Sequence, residues 1–91
     1  MKKEKNKNGG DMPASAYVLI KVEPNKAHTV YNKLKEYSSI IQVDSVTGPH
    51  DIIATVESTD VSALGNFIIN KLRTIDGVKD TLTCHIIKFG L

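Results

Sequence analysis

Thr47-Gly48-Pro49-His50-Asp51 sets a hydroxyl, an imidazole and a carboxylate around a Gly-Pro turn. A histidine beside a carboxylate can serve as a general base. Neighbouring residues on an extended chain point to opposite sides, however, so His50 and Asp51 do not form an oriented dyad by themselves. No second acid, activated nucleophile or set of oxyanion donors accompanies them. His28, His50 and His85 are far apart in sequence, and Cys84 stands next to His85 with its side chain expected on the other face. There is no CxxC, HxH or HExxH spacing, and the glycines form neither GxxxxGK nor GxGxxG. No metal, cofactor or phosphate loop is expected from these patterns.

The same loop has the parts to hold a small zwitterion. Gly48 leaves room for close approach, and Pro49 narrows the loop's ensemble, which lowers the ordering cost of binding. Asp51 can accept from an ammonium group, or cap the loop's own amides. Thr81 and Thr83, on one face of the last expected strand, add hydroxyls suited to a carboxylate. On spacing alone, a well-made turn accounts for the loop better than a ligand does.

The elements that position these residues follow from hydrophobic period. Ala16 to Glu23 is rich in β-branched residues and reads as a strand stopped by Pro24. Asn25 is placed to cap a helix whose stripe is Ala27, Val30, Tyr31, Leu34 and Tyr37. Ile40 to Thr47 and Ile52 to Glu57 read as the second and third strands. Asp60 can cap a second helix, with Val61, Leu64, Ile68, Leu72 and Ile75 on its inner face and Gly65 allowing close approach there. Gly77 is expected to end that helix in a left-handed cap. Val78 to Phe89 is the last strand. The order predicts an α+β, ferredoxin-like βαββαβ fold: a four-stranded antiparallel sheet with both helices on one face.

The covered face is expected to hold Val18, Ile20 and Val22 with Leu82, Cys84 and Ile86. The opposite face would then show Tyr17, Leu19, Ile53, Thr55, Thr81, Thr83, Ile87 and Phe89. That face is too apolar for a solvated one, so a two-fold dimer closed over it is expected.

Composition narrows the function class. With 91 residues, 41% apolar and 24% charged, the chain fits one domain with a packed core. Residues 1–13 read as a disordered tail carrying Lys2, Lys3, Lys5 and Lys7, and residues 14–91 as the domain. From Pro13 onward, eight basic residues balance eight acidic ones, which argues against a phosphate-backbone interface. One cysteine, no apolar leader and no membrane-length apolar run predict a cytoplasmic protein without membrane contact.

Thr47, Gly48, Asp51 and Ile52, followed by Ile75, Gly77, Val78, Thr81 and Thr83, resemble the effector domain of the leucine-responsive regulator (Lrp/AsnC) family. The resemblance covers Ala16 to about Phe89. It implies a dimeric α/β barrel, often a ring of dimers, with a small amino-acid effector bound between neighbouring dimers. It also implies a non-enzymatic role in transcription regulation. Carried across, the ligand-binding residues are Gly48, Asp51, Thr81 and Thr83, with Pro49 and His50 as variable loop members. His50 stands where the family pattern has an aromatic residue. Full-length members carry an N-terminal helix-turn-helix, whereas this chain begins with a lysine tail. The expectation is therefore a stand-alone module that binds no operator directly and that can join a full-length regulator in mixed assembly. The alternative is a small dimeric-barrel enzyme of oxygenase or isomerase type, since such folds host both.

Overall fold

The computed structural model describes residues 13–89. The expected tail, apart from Pro13, lies outside the described residues. The element order is β1 (Ala14–Val22), α1 (Ala27–Leu34), β2 (Ile40–Ser45), β3 (Ile52–Ser58), α2 (Val61–Asn70), a short 3-10 turn (Leu72–Thr74) and β4 (Val78–His85). The sheet order is β2-β3-β1-β4, antiparallel throughout, which is the expected βαββαβ plan.

Alternation places Ala16, Val18 and Ile20 of β1, and Ile52, Ala54 and Val56 of β3, on the helix-covered face, all fully buried. Val30 and Leu34 of α1, Leu64 and Ile68 of α2, and then Leu72 and Ile75 close over them. Burying each of the larger side chains contributes about 1.5–3 kcal/mol, so this two-layer core is the main source of cohesion. Tyr37 and Phe67 meet edge to face, with ring centres 5.3 Å apart, and join the end of α1 to α2.

The start of α1 differs from expectation. Lys26, not Asn25, is the N-cap residue, and no side chain caps it. Asn25 instead has φ +67, and the Lys26 N–H donates to the Glu23 carbonyl at 3.0 Å. Pro24-Asn25 is thus the centre of a type II turn, where proline suits the first position and asparagine tolerates positive φ in the second. Asp60 caps α2 as expected, accepting from the Ala63 N–H at 2.8 Å. Asp60→Ala should cost about 1 kcal/mol in urea-induced unfolding.

The second helix is shorter than its stripe. It ends at Asn70, and the 3-10 turn carries Leu72 inward before Gly77. Val61, expected inside, is 65% exposed at the first turn. A side chain at Gly65 would meet nothing within 4 Å, so this glycine does not serve the close approach expected of it.

The largest correction concerns β4. Thr81, Thr83 and His85 pair with Ile20, Val18 and Ala16, and so lie on the helix side of the sheet. Leu82 and Cys84 pair with Leu19 and Tyr17 on the open side, and both are exposed. A bulge is the reason. Val22 pairs with Val78 and Lys21 with Asp80, leaving Lys79 as an extra residue. Val78 packs against the core as its period predicts, but one inserted residue turns every later side chain to the opposite face. A second bulge at Ile41 lets Ile40 and Val43 both reach the core and leaves Ile41 58% exposed. The open face therefore carries Tyr17, Leu19, Ile53, Thr55, Leu82 and Cys84.

Candidate functional site

Asp51 is the anchor of the loop after β2. Its N–H donates to the Ile20 carbonyl, its own carbonyl accepts from the Val46 N–H, and its Oδ2 accepts from the Val22 N–H, all at 2.9 Å. The carboxylate thus satisfies a backbone donor at the end of β1 and clips the loop to the sheet. Of the two uses foreseen for Asp51, backbone capping is the one made within the chain. Among the described residues, no donor is found on its second oxygen, Oδ1.

Thr47, Gly48 and Pro49 project beyond this clip and are exposed, while His50 and Asp51 are half-buried. Gly48 has φ +151, a conformation that a Cβ strains, and no atom lies within 4 Å of where that Cβ would stand. The glycine shapes the loop and leaves its tip open. The His50–Asp51 neighbourhood shows no imidazole–carboxylate hydrogen bond.

Thr81 and Thr83 are half-buried in a groove between β4 and α2, not on the open face. The groove has a volume of about 290 Å³ and is lined also by Gly65, Ile68, Ile69, Arg73 and His85. Sequence reasoning missed Arg73 and His85 as members of this set. The signal present was i, i+4 spacing of Gly65, Ile69 and Arg73, but the side of β4 facing them depended on the bulge. Between loop and groove lies β1: Ile52 and Thr81 flank Ile20 on either side in one row of the sheet. Two strand spacings separate these rows by roughly 10 Å. The structure brings Gly48, Pro49, His50 and Asp51 together in one loop and Thr81 with Thr83 in one groove. It does not bring the two sets into contact within one chain.

Elsewhere, His28 lies on α1, His50 in the loop and His85 on β4. No cluster of three His, Cys, Asp or Glu side chains that could hold a metal ion occurs among the described residues. No described helix is long and apolar enough to cross a membrane. The buried space between helices and sheet is filled by aliphatic side chains, with Tyr31, Tyr37 and Phe67 packed at its edges.

A one-sided βαββαβ sheet with a clipped, glycine-tipped loop places the chain in the ferredoxin-like class of folds. The chain belongs to the Lrp/AsnC family: the model of the Lrp/AsnC ligand binding domain matches residues 15–89. An HTH-type transcriptional regulator of Pyrococcus horikoshii is 35% identical over 68 residues, which are 75% of this chain and 43% of that protein. The chain spans about half the length of the curated relatives it matches. The crystal structure of FFRP-DM1 superposes with a TM-score of 0.79 at 27% identity, covering 81% of this chain and 99% of that one. A transcriptional regulator from Neisseria meningitidis, solved as an L-Met complex, shares the fold with a TM-score of 0.76 at 15% identity, over 97% of this chain and 60% of that one.

Proposed function

We propose that this domain is a non-enzymatic module that binds a small amino-acid effector and self-associates. The observation that carries the reading is the exposed loop Thr47–Pro49, anchored at its base by the three hydrogen bonds of Asp51 beside the end of β1. A loop fixed in advance loses little entropy when a ligand arrives. The match to a ligand-binding domain along nearly the whole described unit supports the same reading. So does the L-Met complex of a regulator with this fold. The relatives are transcription regulators, and the interior between the layers is aliphatic; both weigh against the oxygenase or isomerase alternative.

In this reading Gly48, Pro49, His50 and Asp51 form one half of the site, and Thr81 and Thr83 the other. Because β1 stands between the halves in one chain, a ligand touching both takes the loop of one copy and the groove of another. Effector binding would then be linked to assembly, since the ligand favours the state that contains the complete site. The open sheet face supplies the primary dimer contact, and a ring of such dimers would bring loops to grooves. A full-length regulator of the family, presenting the same surfaces, is a further partner for mixed assembly.

Isothermal titration against the common amino acids tests the reading; binding by none of them defeats it. Asp51→Asn separates its two uses. The amide oxygen can still accept from the Val22 N–H, so stability should fall by less than about 1 kcal/mol, while loss of the charge should weaken effector binding at least about tenfold. Asp51→Ala should lose binding too, and about 1–3 kcal/mol of stability besides, because the Val22 donor is left without its partner. Unchanged affinity in Asp51→Asn would remove the carboxylate from the site.

A further inference from the structure

We infer that the groove between α2 and β4 selects an effector with an extra carboxylate, that is, an acidic amino acid, and that Arg73 is the specificity-determining residue. The inference rests on the effector reading above and adds the chemical class of the ligand.

The groove is built from two facing stripes. Gly65, Ile69 and Arg73 follow one another at four-residue intervals along α2 and the turn after it. Thr81, Thr83 and His85 alternate along β4 on the side facing them. The chain turns back through Ile75, Asp76 and Gly77 from the 3-10 turn into β4, so Arg73 stands at the Thr81 end and Gly65 toward the His85 end. Ile68, 5% exposed, forms the floor, and Ile69, 56% exposed, forms a wall. The missing side chain of Gly65 leaves open space, with no atom within 4 Å of its Cβ position. At about 290 Å³ the groove is small, at the lower edge of the range for organic ligands.

Its polar groups are one-sided in charge. Arg73 presents a planar fork of N–H donors that matches a carboxylate, and the Thr81 hydroxyl adds another donor at the same end. No carboxylate lines the groove. Among the described residues, none lies within ion-pair distance of Arg73. A basic effector would set its charge against a guanidinium that no described carboxylate pairs. A neutral one would leave the fork to water. A side-chain carboxylate gains a charge-assisted pair that its amide counterpart cannot make. The ligand's own ammonium and α-carboxylate are then left for the loop half of the site, where the free Asp51 oxygen serves the ammonium.

The experiment is calorimetric titration of the whole chain with L-glutamate, L-glutamine, L-aspartate, L-asparagine, L-leucine and L-lysine, repeated on Arg73→Gln and Arg73→Lys. At least one acid should bind about tenfold or more tightly than its amide. Arg73→Gln should bring the acid down to the level of the amide, and Arg73→Lys should restore part of the preference. Arg73 is exposed, so thermal melts of the variants should match the parent. Equal binding of acid and amide, preference for a neutral or basic amino acid, or a preference that survives Arg73→Gln overturns the inference and leaves the effector reading standing. Absence of binding by all six, extended to the remaining common amino acids, overturns both.

Discussion

Replacing Gly77 with alanine should destabilise the domain by about 2–4 kcal/mol, the largest stability loss expected from adding a single methyl group. Two effects act together. The residue has φ +101, where an L side chain is strained. A Cβ there would also stand 2.8 Å from Lys26 Cβ and 2.9 Å from Val30 Cγ2, closer than such atoms approach. Val30 is fully buried, so it cannot step aside without disturbing the core, and Lys26 is tied to Asp76 at 3.0 Å. The backbone is committed as well, since the Gly77 carbonyl accepts from the Glu23 N–H at 2.8 Å. Gly77 thus joins the turn before α1 to the turn before β4. Urea unfolding should show a lowered midpoint with little change in slope. A stability within about 0.5 kcal/mol of the parent would mean that α1 can shift away from the turn at little cost.

Leu82→Glu should convert the proposed dimer to monomer at micromolar concentration. Leu82 is 52% exposed, beside Leu19 on the open face, and Tyr17 is 48% exposed next to Cys84. In a two-fold assembly over this face each substitution appears twice, so two carboxylates would be taken from water without partners. Burying unpaired charge costs several kcal/mol, enough to raise the dimer dissociation constant by about a hundredfold or more. The monomer should stay folded, because Leu82 is outside the helix-covered core. Sedimentation measures the mass, and circular dichroism the fold. A dimer that persists in the variant would place self-association on another surface.

Much of the fold was legible in the sequence because its signals are local. Strand β3 buries every second residue from Ile52 to Val56, α1 turns Val30 and Leu34 inward, and Asp60 sits where a cap is needed. Gly77 was recognised as a left-handed position, although it follows a 3-10 turn rather than ending the helix itself. The Pro24-Asn25 pair is ambiguous in sequence because asparagine suits both a cap and a type II turn, and only the path of the chain decides between them.

The candidate site was legible in part. Its loop could be located, since Gly-Pro punctuates the chain and Asp51 stands at the start of β3. That the Asp51 carboxylate would bond a backbone amide 29 positions earlier had no local signal. The facing of Thr81 and Thr83, on the helix side rather than the expected open side, has no local signal for a comparable reason. A strand's period gives which residues share a side, but not which side, once an extra residue such as Lys79 is inserted.

The sequence by itself determined the element order, the one-sided helical layer and the family membership, because hydrophobic period, turn chemistry and motif spacing are properties of neighbouring residues. Only the tertiary structure decided that loop and threonines stand apart across β1, and that Arg73 and His85 join the threonines in a groove. Those arrangements depend on inter-strand register and on one bulge, which are set by pairing between distant segments rather than by any run of adjacent residues.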